Sequence, residues 1–187
     1  LADAYDVIIV GSGPAGMFAA RELGDNGIGS ILLIDEGKTA RKRHCPMELD
    51  GVCHKCETCN VMHGVGGAGT FSDGTLNLRP DIGGDLRDLT KDDKAAWDLV
   101  KYVDDIWVEY GAPPITERPD PEVVENLMRR AAENDVRFID ITQRHIGSDY
   151  SQKLIDDFER DLRGRGMEFL LETVVEDILI EDRRCKG

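Results

Sequence analysis

Residues 5–16, with the sequence YDVIIVGSGPAG, decide the fold of this chain. The apolar, β-branched run at 5–10 is typical of a buried parallel strand, and a glycine-rich turn follows it at once. From Pro14 to about residue 26 the pattern predicts a helix. The run ILLID at 31–35 then predicts a second buried strand. The sequence therefore opens with a strand–helix–strand unit whose two strands are expected to be parallel.

The turn of this unit carries the dinucleotide-binding fingerprint G-x-G-x-x-G at Gly11, Gly13 and Gly16. Gly11 permits the tight turn, Gly13 lets the backbone approach a pyrophosphate, and Gly16 lets the helix pack close to the strand. The helix N-terminus, with Pro14 and Ala15, offers N–H groups and the positive end of the helix dipole to phosphates. Because the fingerprint follows a strand and opens a helix, it predicts a dinucleotide site. A glycine-rich turn without a ligand is the alternative.

An acidic side chain at the end of the second strand is expected to bind the ribose of the dinucleotide. Asp35 occupies this place, and its carboxylate would accept hydrogen bonds from the ribose diol. Glu36 is the next residue, so a shift of one position would give it the same role. An acid here disfavours a 2′-phosphate, so NADP fits this site badly.

The composition excludes several classes of protein. The chain has 187 residues, which is enough for one ordinary domain or two small ones. Its 23 basic and 37 acidic residues give a net charge of −14, and nucleic acid is a poor partner because phosphate binding needs clustered Lys and Arg. We find no apolar run of the roughly 20 residues of a membrane span. The N-terminal sequence lacks the pattern of a signal peptide, so we expect a cytoplasmic location.

Four of the five cysteines lie in one short stretch with the spacing C-x7-C-x2-C-x2-C. The C-x2-C-x2-C part suits three corners of a [4Fe–4S] cluster, with the more distant cysteine as fourth ligand. Zinc, free thiols and a redox disulfide are the alternatives. Three histidines are candidates to replace a cysteine ligand: His44, His54 and His63. The predicted metal ligands are Cys45, Cys53, Cys56 and Cys59.

The second glycine-rich stretch, GVGGAGTFSDGTL at 64–76, resembles the G-x-G-G-A-G-T-F-S-D-G-K-L signature of a known family. That family consists of largely uncharacterised FAD-dependent dehydrogenases among the two-dinucleotide-binding-domain flavoproteins. The lysine of the signature is Thr75 here. Shorter pieces at 82–84 and 144–149 are similar to the same family, so the resemblance extends over most of the chain. It implies FAD as the cofactor and NAD(P) as a co-substrate.

The resemblance implies that the second glycine loop lies against the pyrophosphate and the flavin of FAD. Glycines in such a loop expose backbone N–H groups in a nest suited to anions, and hydroxyl side chains add donors. Some members of the family carry similar cysteines just before this loop, which would put a metal centre near the flavin. The loop residues implied at the cofactor are Gly66, Gly67, Ala68, Gly69, Thr70 and Ser72.

The expected fold class is α/β, an FAD/NAD(P)-binding, Rossmann-like three-layer domain with a partly helical inserted segment. Family members are longer, so we expect an N-terminal fragment of a larger enzyme. The expected domains are the first part of the FAD-binding domain at 1–79, an inserted, mostly helical substrate or cap segment at 80–146, and a return to the FAD-binding domain with the start of a β-meander at 147–187. Further elements are expected as helices at 91–110, from Pro121 after an Asp120 cap, and at 149–164, and as strands at 136–141, 168–171 and 173–180.

The function expected from these features is an FAD-dependent oxidoreductase that acts on an unidentified small molecule. The flavin would do the hydride or electron chemistry. If the cysteines hold an iron–sulfur cluster, single electrons could pass between it and the flavin. His145 is the candidate proton donor, because imidazole titrates near neutral pH; a structural role in its loop is the alternative. The other functional hypotheses are an NAD-binding enzyme of the same fold and a non-catalytic, metal-stabilised nucleotide-binding module.

Overall fold

The computed structural model describes Ala2 and residues 4–187, so positions 1 and 3 of the expected first domain lie outside the described residues. The α-helices are α1 (Pro14–Asp25), α2 (Met47–Asp50), α3 (Arg87–Thr90), α4 (Asp93–Glu109), α5 (Pro121–Ala132) and α6 (Ser148–Gly164). The strands are β1 (Val7–Val10), β2 (Ile31–Ile34), β3 (Thr75–Asn77), β4 (Gln143–His145), β5 (Glu168–Leu170), β6 (Ile180–Glu181) and β7 (Arg184–Cys185). Single 3₁₀ turns occur at Ala40–Lys42 and Ala68–Phe71. The mixture of helices and parallel strands confirms the expected α/β class.

The parallel sheet has the strand order β1–β2–β5. Val7 pairs with Ile31 across the first ladder, and Leu32 pairs with Glu168 across the second. The central strand β2 is buried over Ile31, Leu32 and Leu33, which explains why its sequence is a continuous apolar run rather than an alternating one. The predicted strand–helix–strand unit is therefore confirmed.

Strand β1 lies at the edge of this sheet, and its exposure alternates along the strand. Ile8 is 46 % exposed and Val10 is 57 % exposed, whereas Val7 and Ile9 are half-buried. Such alternation is what a two-residue side-chain period gives when only one face of a strand is covered.

The helical side of the core joins α1 to α6. Phe18 of α1 meets Phe158 of α6 edge-to-face, with ring centroids 5.4 Å apart. Leu154, Phe158 and Leu162 are buried at intervals of four residues, so they form one apolar stripe along α6. This stripe packs the helix against α1 and the 3₁₀ turns, close to the residues that follow β2.

The chain divides into two compact units. The first comprises the chain up to Ser72 together with Ser148–Gly187, and it contains the parallel sheet. The second is Asp73–Gly147, and it contains the antiparallel β3–β4 pair with α3, α4 and α5. This division rests on the contacts within each unit, and it does not test functional domains. The expected domains at 1–79, 80–146 and 147–187 therefore stay a prediction.

The second unit is stabilised by helix caps and a buried ion pair. Asp120 caps α5, as predicted, and accepts a hydrogen bond of 2.8 Å from the Glu122 amide. The Arg144 guanidinium donates to both oxygens of Asp104 at 2.6 and 2.7 Å. This pairing raises the pKa of Arg144. Trp107 of α4 is buried, whereas Trp97 is 43 % exposed beside a second cleft of about 340 Å³.

Two expected strands are not formed as predicted. Residues 136–141 all lie within the described part of the chain, and they form no strand. A strand, β4, forms instead a few residues later, where the sequence predicts a loop. Its residues Gln143, Arg144 and His145 are all polar, and they pair with β3. The sequence therefore lacks the alternation of apolar and polar residues that indicates a strand. Within 173–180 only Ile180 belongs to a strand, in the short β6–β7 hairpin. The predicted strand at 168–171 is confirmed as β5.

Among residues 2 and 4–187, no helix combines the length and the apolar character that a membrane crossing requires.

Candidate cofactor-binding site

A cleft of about 350 Å³ opens at the carboxyl ends of β1 and β2. Ligands of open parallel sheets bind at this edge, where the loops after the strands converge. The lining of the cleft includes residues that the sequence predicts at the dinucleotide, namely Gly11, Gly13, Asp35, Glu36 and Gly67. It also includes His63, for which the sequence predicts no contact with the dinucleotide.

The first glycine loop connects β1 to α1 with little space for side chains. A Cβ added to Gly16 would lie 2.0 Å from the Gly11 carbonyl oxygen, so only glycine allows this approach of helix and loop. Helix α1 begins at Pro14 with Gly13 as its N-cap, and none of the described side chains caps this end. The N–H groups of its first turn therefore remain for a ligand, as in other anion sites at helix N-termini.

The second glycine loop lies directly against the first. The Gly66 amide donates a hydrogen bond of 2.8 Å to the Ser12 carbonyl oxygen. A Cβ added to Gly67 would lie 3.2 Å from Pro14 Cδ and 3.3 Å from Gly13 Cα. The two glycine motifs, more than 50 residues apart in the sequence, thus form one continuous backbone surface beside the cleft.

The carboxylate of Asp35 connects both loops to the end of β2. One oxygen accepts from the Ser12 amide at 2.7 Å and from the Ser12 hydroxyl at 2.8 Å, and the other accepts from the Gly37 amide at 2.8 Å. Burial alone would raise the pKa of Asp35. Hydrogen bonds from Ser12, Gly37 and Gly64 outweigh it and hold the pKa below its ordinary value. Asp35 is therefore an ionised residue that already has several internal partners.

Glu36 and His63 contact each other at the same cleft. Glu36 Oε1 contacts His63 Nδ1, and both side chains are a little over one-third exposed. The sequence makes His63 a candidate to replace a cysteine ligand, but in the structure its Nδ1 contacts Glu36. Glu36 thus presents a second carboxylate to the cleft beside Asp35.

Arg43, which the sequence does not single out, is completely buried beside the second glycine loop. It lies in a basic stretch that also contains Lys38, Arg41 and Lys42, and nothing in the sequence distinguishes it from these neighbours. Its guanidinium group lies 4.9 Å from the centre of the Phe71 ring. It donates hydrogen bonds to carbonyl oxygens of the second glycine loop and of the segment before it.

The hydroxyl groups predicted to face FAD have partners inside the loop. Thr70 is 3 % exposed, and its hydroxyl accepts from Arg43 Nη1 at 3.2 Å. The Ser72 hydroxyl donates to the Gly69 carbonyl oxygen at 2.8 Å. Ala68 and Gly69 are exposed at the start of the 3₁₀ turn. In this loop, backbone groups rather than hydroxyls are the ones left for a ligand.

The predicted iron–sulfur or zinc site is not formed in this arrangement. Within the described part of the chain, no three His, Cys, Asp or Glu side chains are grouped so that they could hold a metal ion. The physical reason is the course of residues 51–58, which have no helix or strand and turn outward. Cys53 and Cys56 are exposed, whereas Cys45 and Cys59 are half-buried.

His145, the candidate proton donor, belongs to the second compact unit. It lies on β4, and its Nδ1 is 3.2 Å from the Thr75 hydroxyl. Its Nε2 is 3.5 Å from a carboxylate oxygen of Glu117, and the side chain is 47 % exposed. The predicted catalytic role of His145 stays a prediction.

Comparison with solved structures identifies the fold. The 3-ketosteroid-Δ4-(5α)-dehydrogenase of Rhodococcus jostii RHA1 matches with a TM-score of 0.51 and 13 % identity, over 96 % of this chain and 41 % of that one. The glycine oxidase of Bacillus cereus ATCC 14579 matches with a TM-score of 0.49 and 15 % identity, over 98 % of this chain and 52 % of that one. The chain thus spans about half the length of these structures or less.

Comparison of the sequence with the curated proteins gives no match. Comparison with family models gives one match, to the FAD binding domain, over residues 4–146. The match supports FAD among the cofactors considered, and it gives no support to NAD(P), zinc or an iron–sulfur cluster. It includes both glycine loops and the acidic end of β2. The chain therefore belongs to the FAD binding domain family.

Proposed function

We propose that this chain is the FAD-binding part of an FAD-dependent dehydrogenase that acts on a small molecule. The main support is the contact between the two glycine loops, through the Gly66–Ser12 hydrogen bond, at the carboxyl ends of two parallel strands. Membership of the FAD binding domain family agrees with it. The similarly folded R. jostii protein is named as a dehydrogenase, which gives the proposed reaction class. Bound FAD would supply the hydride or electron chemistry.

The residues of the cleft fit FAD in a consistent order. The uncapped N-terminus of α1, beside Gly13, would hold the pyrophosphate through its free N–H groups. The carboxylates of Asp35 and Glu36, at the end of β2, would face the adenosine ribose. The exposed backbone of Ala68 and Gly69 would face the pyrophosphate and the flavin from the other side.

The same residues argue for an unphosphorylated ribose. Two carboxylates side by side, Asp35 and Glu36, repel a 2′-phosphate, so the cleft is proposed to take FAD in preference to NADP. NAD would also satisfy these acids, and it is the competing ligand in the test. The proposal assigns no iron–sulfur centre to the enzyme, because the cysteines are not grouped in the described residues.

The test is direct titration of the purified 187-residue chain with FAD, NAD and AMP. Calorimetry measures the binding of all three ligands, and quenching of flavin fluorescence measures the binding of FAD. We expect one FAD per chain, with FAD binding more tightly than NAD or AMP because only FAD carries the flavin that would contact the second loop. Tighter binding of NAD would favour the NAD-binding enzyme. Binding of AMP and FAD with equal affinity would favour a nucleotide-binding module without a flavin site.

The dehydrogenase part of the proposal needs a separate measurement. Under anaerobic conditions the FAD-loaded chain is mixed with panels of small-molecule reductants and with NADH, while the blue absorption band of the flavin is recorded. Bleaching by one class of reductant identifies the substrate class. If FAD binds and NADH is the only reductant that bleaches the flavin, then NADH is the electron donor, and no other small molecule of the panel is the reducing substrate.

A further inference from the structure

We propose that Arg43 is the positioning residue of the second glycine loop: it orients the peptide groups of residues 60–70 so that the N–H of Ala68 faces the bound cofactor. This inference rests on the proposed function, because it concerns the same FAD cleft. It assigns a role to a residue that does not line that cleft.

The first observation is the set of hydrogen bonds that Arg43 donates. Its side chain is 0 % exposed, and the loop folds around the guanidinium group. Nε donates at 2.9 Å to the Asn60 carbonyl oxygen, and Nη2 donates at 2.8 Å to that of Val61. On the far side of the loop, Val65 accepts from Nη1 at 2.6 Å, and Gly67 accepts from Nη2 at 2.9 Å. One side chain therefore holds both sides of the loop.

The second observation is the direction that these bonds give to the loop N–H groups. In a trans peptide the C=O and N–H bonds point in opposite directions. The carbonyl oxygen of Val65 points to Arg43, so the N–H of the same peptide, which belongs to Gly66, points the other way and reaches Ser12 at 2.8 Å. The carbonyl oxygen of Gly67 also points to Arg43, so the N–H of the exposed Ala68 points away from the guanidinium.

The third observation is electrostatic. A buried charge is costly unless its donors are satisfied, and here peptide oxygens and the Thr70 hydroxyl satisfy them. Burial lowers the pKa of Arg43, and the nearby charge of Asp35 opposes this effect. Since an arginine stays protonated in proteins, a positive charge lies behind a loop that faces the proposed pyrophosphate.

Lysine cannot replace arginine in this role. The planar guanidinium group has five N–H donors in a fixed fork, whereas an ammonium group donates from a single nitrogen. A lysine at position 43 would keep the charge but could not hold Asn60, Val65 and Gly67, which accept from three different nitrogens of Arg43. Arg43→Lys therefore separates the positioning role from the charge.

The experiment compares FAD and AMP binding to the 187-residue chain and to Arg43→Met and Arg43→Lys. AMP is expected to touch only the first loop and the end of β2, so its affinity should stay within about twofold of the unmodified chain. FAD affinity should fall about tenfold or more in both variants, because the charged hydrogen bonds that orient the second loop are lost. At saturating FAD, the visible circular dichroism of the bound flavin should weaken. Arg21→Met, which removes another buried arginine of the same unit, is the matched control and should leave FAD binding unchanged.

Three outcomes overturn the inference: equal FAD affinity in Arg43→Met, an equal loss of AMP and FAD affinity, or full recovery by Arg43→Lys. Failure of the unmodified chain to bind FAD would instead refute the proposed function. If Arg43→Met does not fold, Thr70→Val provides the test, since it removes one hydroxyl partner of Arg43 and keeps the side-chain shape. It should weaken FAD binding about threefold with AMP unchanged. Unchanged FAD binding in Thr70→Val would then count against the inference.

Discussion

Asp35 accepts two hydrogen bonds from Ser12, from the backbone amide at 2.7 Å and from the hydroxyl at 2.8 Å. Asp35 directly follows β2, and Ser12 lies in the turn that follows β1. The pair therefore fixes the separation of the two strand ends between which the cleft opens. The acid that the fingerprint predicts for ribose binding also shapes the loop that would hold the pyrophosphate.

Asp35→Ala is expected to weaken FAD binding by about 1.5 to 3 kcal/mol, because it removes charge-assisted hydrogen bonds at the cleft. Glu36→Ala should cost much less, since the contact of Glu36 is with the half-buried side chain of His63. Calorimetric titration of both variants with FAD gives the ranking. A larger loss for Glu36→Ala would show that Glu36, and not Asp35, holds the ribose.

The lowered pKa of Asp35 predicts a particular pH dependence of stability. A carboxyl group whose folded pKa lies below its unfolded value of about 3.9 stabilises the fold above that pH, and the contribution is lost as the pH falls through the folded pKa. The difference in unfolding free energy between the unmodified chain and Asp35→Asn should be constant from neutral pH down to about 5 and shrink below about 4. Denaturant unfolding at a series of pH values measures it. A difference that grows on acidification would contradict the assignment.

Gly13→Val is expected to abolish FAD binding without unfolding the chain. A Cβ at Gly13 would make an ordinary contact, 3.9 Å from Gly67 Cα, so the added methyl groups would extend into the cleft at no great cost to the fold. Gly16→Ala should behave in the opposite way and lower the melting temperature, because its Cβ would lie 2.0 Å from the Gly11 oxygen. Gly164→Ala, which has open space around its Cβ, is the control for both. Stoichiometric FAD in purified Gly13→Val would refute the site.

The cysteines are expected to behave as free thiols in the native chain. An aromatic disulfide reagent should modify the exposed Cys53, Cys56 and Cys185 rapidly, and the half-buried Cys45 and Cys59 more slowly. The measurement is the time course of thiolate release, with mass spectrometry of the labelled peptides. If anaerobically purified protein instead contained iron or zinc, and metal removal exposed four protected thiols, the metal site predicted from the C-x7-C-x2-C-x2-C spacing would be restored.

The parts of the fold that the sequence predicts well are those in which local signals coincide. The run at 5–10, the glycines after it and the Pro14 helix start all indicate the same strand–turn–helix, and the structure contains it. Asp120 followed by Pro121 likewise predicts the start of α5 correctly. In each case the residues that decide the element lie within one or two turns of it.

The features that the sequence could not predict depend on distant partners. Strand β4 is polar and exists through its pairing with β3, some 70 residues earlier in the chain. Arg43 resembles its basic neighbours until the loop at 60–70 folds around it. The cysteine spacing identifies candidate ligands but does not determine whether the loop turns inward, and in the structure it turns outward.

The edge position of β1 has a consequence for handling the protein. Ile8 is 46 % exposed and Val10 is 57 % exposed, and the N–H and C=O groups on the side of β1 away from β2 have no strand beside them among the described residues. Exposed, apolar edge strands are templates for pairing with another chain, and native proteins usually cover or charge them. At high concentration, this edge would therefore favour self-association of the purified chain. An inward-pointing lysine or a fused covering strand is the rational remedy for aggregation during purification.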